Sequence, residues 1–306
     1  LRSRFGPFWR SFSWATARDQ LAYAIPFGLA AVVMQAQLDV PHYFVSHEYG
    51  AAAYAIFAVG CFNLPVVAIL AESAGSVMIP RISELQAAGR TREIAETVAG
   101  MVRKLAVAYF GLFAYLVVFG REFIVLLFTE QYAASWPVFA VNVLLIPLAL
   151  VTSACDPVLR AYAEHRYFFL RARLAITAVL VTALWVGTGA LGLVGTIAVV
   201  VALNALERAV VAAKVWRILG LGSGDLALFG GVARLGAAAA VAGLVAAAAR
   251  AALDGTAPIV TLACGGFVFA AVYAVAIVGA GVLRPGEISL LLSRQGGPAC
   301  AASRES

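Results

Sequence analysis

The sequence predicts an all-α polytopic membrane protein of about eight transmembrane helices, and three observations carry that prediction. The first is composition: 63% of the 306 residues are hydrophobic, 12% are charged, and the mean hydropathy is +0.92. A soluble chain carries about 25% charged residues. The second is length: apolar runs fall near 21–46, 52–79, 103–127, 134–158, 169–187, 192–215, 228–249 and 258–282. Each approaches or exceeds the roughly 20 residues that a helix needs to cross a bilayer. Strands of a membrane barrel would instead alternate over about ten residues. The third is charge placement. With the N-terminal segment cytoplasmic and each run reversing the side, all of the 22 lysines and arginines except Arg121 and Arg250 fall in cytoplasmic segments or at cytoplasmic helix ends. That is the positive-inside pattern of an inner-membrane protein with both termini in the cytoplasm. The net charge of +6 is therefore topological, and no nucleic-acid partner is expected.

The opening hairpin organises the rest. The first run carries Gln35, Gln37 and Asp39; the second carries Asn63 and Glu72, with Pro65 inside it and Pro80 closing it before Arg81. Polar and ionised groups at hydrocarbon depth cost roughly 2.5–3.5 kcal/mol each on insertion scales, and they persist where they face a watery cavity or a partner. Gln35 and Asp39 share a face one turn apart. A hydrogen-bonded contact between helices explains them as well as a cavity-lining cation or proton site does.

Residues Arg81 to Thr97, with Ile82, Leu85, Ile94 and Val98 as a partial apolar face, read as a short amphipathic helix on the cytoplasmic surface. The third run ends at Phe128 in the turn Thr129-Glu130-Gln131-Tyr132. The fourth ends at Asp156-Pro157, where Asp156 and Arg160 have ion-pair spacing. Runs five and six form a tight hairpin over Gly187 to Gly195, and Glu207 and Arg208 read as interfacial. Runs seven and eight are alanine-rich and nearly uncharged, reading as lipid-facing additions or a groove wall. Prolines crowd the first four runs (Pro26, Pro41, Pro65, Pro137, Pro147 and Pro157) and are missing from runs five to seven. Bends of this kind in the first half fit helices that move around a cavity, as well as ordinary packing.

The catalytic signatures fail on context. Gly187-Thr188-Gly189-Ala190-Leu191-Gly192 matches the dinucleotide fingerprint, with Glu207 further on, but it joins two membrane helices where the fingerprint needs a strand and a βαβ unit. His42, His47 and His165 have no i,i+4 pairing, and Cys61, Cys155, Cys264 and Cys300 have no C-x-x-C spacing. No metal, cofactor or disulfide framework is expected from them.

Several segments resemble one family. Leu38-Asp39 through Phe44-Val45-Ser46, Tyr49-Gly50 and Tyr54-Ala55 resembles the seventh-helix signature of polysaccharide-type flippases. Val77 to Ser83, through Pro80-Arg81, resembles the end of their eighth helix. Glu122-Phe123-Ile124 to Leu127-Phe128, then Tyr132, is similar to the turn between helices nine and ten, where Thr129 replaces the usual glycine. Leu159-Arg160-Ala161 and Arg166 resemble the loop after helix ten, where Ala163-Glu164 replaces the usual Gly-Lys/Arg step. Leu191-Gly192-Leu193-Val194-Gly195 resembles the opening of helix twelve. Over residues 20–220 the chain is thus similar to the multidrug/oligosaccharidyl-lipid/polysaccharide exporter superfamily, in its Wzx-like and lipid II flippase branches.

By composition, residues 1–20 read as a cytoplasmic interfacial segment, aromatic and basic, and 284–306 as a disordered cytoplasmic tail containing Gly, Ser and Arg. The resemblance implies the second six-helix lobe (helices seven to twelve) of a MATE/MOP-like fold at 21–218 and two additional helices at 219–283. It implies an absent N-terminal lobe that would complete the cavity. The function implied is flipping, without enzymatic chemistry, of polyprenyl-diphosphate-linked oligosaccharide for cell-surface polysaccharide, by alternating access, with membrane lipid around it. Gln35, Asp39 and Asn63 are the expected sugar-contacting or coupling residues, with Glu72 and Arg81 as an inner gate. Proton coupling, sodium coupling and the membrane potential all stay open as drives. The alternatives are a cation-coupled multidrug antiporter of the same superfamily, a membrane-embedded glycan ligase or acyltransferase, and a structural membrane subunit.

Overall fold

A computed structural model describes residues 13–162, 166–187, 189–253, 255–279 and 281. The expectations for residues 1–12, for Ala163-Glu164 and for the tail beyond 281 lie outside the described residues. Among those described there is no strand, and eight helical segments are long and apolar enough to cross a membrane. The protein is an all-α, multi-pass membrane protein.

The helices are α1 Trp14–Glu48, α2 Gly50–Gly60, α3 Pro65–Ala87, α4 Thr91–Phe128, α5 Trp136–Asn142, α6 Leu145–Ala161, α7 Arg166–Gly187, α8 Gly192–Ile218, α9 Gly230–Ala251 and α10 Pro258–Gly279. Short 3₁₀ turns at Glu130–Ser135 and Ser223–Phe229 precede α5 and α9. The end carrying Arg81, Arg90, Arg92 and Arg217 is called the basic end below.

Several boundaries differ from the sequence reading. α1 starts at Trp14, where the Ser13 hydroxyl caps it by accepting from the Thr16 amide at 3.4 Å, so Arg18 rides on this helix too. The second run is two helices. Pro65 has no N–H to offer the Cys61 carbonyl, and Leu64 before it is extended at φ −77°, ψ 117°, as the proline ring requires. α2 has 11 residues, about 16 Å at 1.5 Å per residue, too short to cross a core about 30 Å thick, whereas α3 is long enough to cross it. The fourth run is also interrupted. Pro147 cannot donate to the Val143 carbonyl, and the Ile146 amide takes that carbonyl at 3.0 Å, tightening the chain between α5 and α6.

The stretch 81–97 is not a separate surface helix. Arg81 to Ala87 complete α3, and Gly89 at φ +70° turns the chain, with the Arg90 amide closing onto the Leu85 carbonyl at 2.9 Å, a glycine stop of the Schellman kind. From Thr91 one continuous helix of 38 residues runs to Phe128. The apolar face was read correctly: Ile82, Leu85, Ile94 and Val98 are all buried. The charges beside it form local pairs, Arg81–Glu84, Arg90–Glu93 and Arg92–Glu96, at 3.3–3.4 Å, each worth only tenths of a kcal/mol, about 0.2–0.5.

α4 is the keel of the molecule, packing against α3, α6, α9 and α10. α9 and α10 are seated on it rather than merely appended. The Tyr273 hydroxyl donates to the Val107 carbonyl at 2.8 Å, the Tyr115 hydroxyl to the Leu262 carbonyl at 3.1 Å, and Arg250 Nη2 to Glu122 Oε1 at 2.7 Å. Gly111 and Gly265 lie where a Cβ would collide with Tyr273 and Phe119, so close approach here needs glycine. α8 packs with α5, α6 and α7, and α1 lies along α7. The α7–α8 hairpin turns through Gly189 at φ +80° and Gly192 at φ +61°, which accounts for the glycines of the false fingerprint. Its Gly192 amide donates to the Tyr49 hydroxyl at 3.1 Å, tying the turn to the end of α1.

Candidate functional site

α1 carries polar groups on two opposite faces. Gln35 and Asp39 are exposed, and Gln35 Nε2 donates to both Asp39 carboxylate oxygens, at 3.2 and 3.3 Å. Gln37, between them in sequence but about 200° around at 3.6 residues per turn, is buried and donates to Glu207 Oε2 at 3.3 Å. Nearby, Asn63 stands exposed in the break between α2 and α3, and Glu72 is exposed on α3. Arg81 is exposed at the basic end of α3 and pairs with Glu84 at 3.4 Å. The partner that Arg81 takes is therefore Glu84 and not Glu72, and α1 carries a further basic residue in Arg18.

All five expected site residues are thus exposed on α1, α3 and the break that precedes α3. In a helix surrounded by lipid that exposure would be costly. The break adds backbone polarity: the Phe62 carbonyl accepts from Asn142 Nδ2 at 3.4 Å, which joins the interrupted second span to the interrupted fourth. Broken helices are where transporters build substrate and ion sites, and non-helical backbone inside a bilayer persists only against protein or water.

Sequence reasoning missed the buried charges. Arg173 and Glu207, side chains 4% and 3% exposed, form an ion pair at 3.2 Å between α7 and α8. Arg173 Nη1 also donates to the Ala30 carbonyl of α1 at 3.1 Å. Neither residue is at a solvated helix end, as the charge-placement argument had supposed. One signal was available: both lie about four turns from the Gly187–Gly192 hairpin, so antiparallel neighbours must bring them to one depth. Asp156 carries another buried polar atom. Its Oδ1 and the Nε of Arg208 are buried with no hydrogen-bond partner.

A cavity of about 440 Å³ lies between α4, α6, α8 and the start of α9, lined by apolar and aromatic side chains such as Val98, Leu150, Ala154, Trp216 and Phe229. Its lining offers no polar group to a sugar or a phosphate.

Residues 2–137 match the family model described as polysaccharide biosynthesis protein. The match supports a polysaccharide flippase-family assignment. It runs from before α1 into α5 and so includes Gln35, Asp39, Asn63, Glu72 and Arg81. No curated protein and no solved structure matches the chain.

Proposed function

We propose that this chain is the second six-helix lobe, with two additional helices, of an inner-membrane flippase for polyprenyl-diphosphate-linked oligosaccharide. The observation that carries the reading is the exposure of Gln35 and Asp39 on α1, of Asn63 before α3 and of Glu72 on α3, all inside the segment that matches the family. A companion six-helix lobe would cover these residues and enclose water. Gln35, Asp39 and Asn63 then offer the mixed donors and acceptors that sugar hydroxyls need. Arg81, exposed at the basic end, attracts the diphosphate to the mouth, with Arg18 as a second cation on α1. The head crosses by alternating access while the lipid stays in the bilayer, and a proton gradient, a sodium gradient or the membrane potential drives the cycle.

The test is reconstitution of the full-length protein in liposomes with a fluorescent short-chain polyprenyl-diphosphate N-acetylglucosamine. Asp39→Asn and Arg81→Ala are each expected to lower the rate of appearance in the opposite leaflet at equal protein content. Unchanged rates in both remove these residues from the site. Asp39 also suits a cation-coupled drug antiporter of the same superfamily. Export of a lipophilic cation with no movement of the lipid-linked sugar would favour that reading instead.

A further inference from the structure

The buried ion pair touches α1 at two points, the Ala30 carbonyl and the Gln37 side chain. Both lie between Pro26 and Pro41, the two prolines inside this helix, where the ladder is intact and rotation is transmitted as one piece. Apolar contacts alone would let such a helix turn about its axis, because one row of aliphatic side chains resembles the next. Two hydrogen bonds about two turns apart do not permit that. They hold one face of α1 inward and so aim the opposite face, Gln35 and Asp39, outward.

Stability alone does not call for charges here, since buried ion pairs replaced by apolar residues of similar volume are often as stable or more so. We propose that Arg173 and Glu207 are positioning residues that set the rotation of α1 and thereby aim Gln35 and Asp39 at the transport path. The proposal rests on the flippase reading for its consequence, but the anchoring can be measured without it.

The experiment uses the full-length protein in liposomes and compares wild type with Arg173→Met/Glu207→Leu and with Gln37→Leu. Three quantities are read: thermal midpoint, hydrogen exchange of residues 26–41, and flipping of the fluorescent short-chain polyprenyl-diphosphate sugar. The double variant is expected to keep the wild-type midpoint or exceed it, to exchange faster over 26–41 than over α4, and to flip at least tenfold more slowly. A purely structural pair would leave exchange and flipping at wild-type values in the folded double variant, and that result overturns the proposal. If the double variant does not fold, Gln37→Leu decides, since it removes one anchor and no charge. Faster exchange over 26–41 sustains the proposal and unchanged exchange overturns it. A wild-type protein that does not move the probe refutes the flippase reading, while the exchange data still decide the anchoring.

Discussion

α1 and α4 are the two longest helices, 35 and 38 residues, yet they are held in different ways. α4 is gripped by shape over its whole length, by α3 and α6 on one side and by α9 and α10 on the other, with glycines admitting the rings of Phe119 and Tyr273. The apolar stretch of α1 is 19% buried against 33% for that of α4, and its polar ties are the buried charged cluster near its middle and the Tyr49 hydroxyl at its end. The difference teaches where motion and function belong. A helix packed on both sides resists displacement, whereas a less enclosed helix has room to bend at Pro26 and Pro41 and has exposed polar residues left over for a ligand.

The sharpest way to break the comparison is to unpair the anchor. Glu207→Gln removes the carboxylate paired with the buried Arg173 guanidinium and should cost about 3–5 kcal/mol, read as loss of folded protein in a detergent or lipid denaturation series. The loosening should appear first in α1 and α7. In the keel, Phe119→Ala should cost about 2 kcal/mol, the cavity term more than the transfer term, because lipid is as apolar as the core. Val32→Ala on the open face of α1 should change stability by less than about 0.5 kcal/mol, and equal effects at both positions would refute the contrast.

Thr129, at φ 80° and ψ 166°, occupies a backbone region that is essentially reserved for glycine. Thr129→Gly should therefore raise stability by about 1 kcal/mol, part of the roughly 1–3 kcal/mol such a conformation costs. A small effect is expected for Arg92→Ala. This side chain is 65% exposed, and its 2.8 Å bridge to Asp225 is of the solvated kind worth about 0–1 kcal/mol. A large loss there would mean that the Ser223–Phe229 turn, not the α4 core, seats α9.

These particulars show how far the sequence could be read. The eight spans were legible because length and hydropathy are one-dimensional properties, and Pro65 marked the place where the second one breaks. It was read as a kink, however, because how far a proline interrupts a helix depends on whether a neighbour such as Asn142 can take the released carbonyls. The junction at Gly89 was legible too, since nothing between Thr91 and Phe128 stops a helix. It was passed over because the charges suggested a surface element. Thr129 was correctly picked out as standing in a glycine's place. The buried pair was not found. Arg173 and Glu207 are distant in sequence, and counting charges near span ends assigns them to solvent, whereas their true environment is set by the register of α7 against α8. The exposed residues of α1 and α3 were nameable because their polarity contradicts their apolar surroundings. What each one faces depends on packing, which no run of hydropathy contains.

The account depends most on these exposed residues facing water. The direct measurement places single cysteines at Gln35, Asp39, Asn63 and, as a lipid-facing control, Phe267, which is 78% exposed on α10, in a full-length background with the native cysteines replaced. Intact membranes are then treated with a charged, membrane-impermeant maleimide. The account predicts rapid labelling at the first three positions and slow labelling at Phe267, with a sugar-diphosphate substrate protecting the first three. Labelling as slow at Gln35, Asp39 and Asn63 as at Phe267 would contradict it.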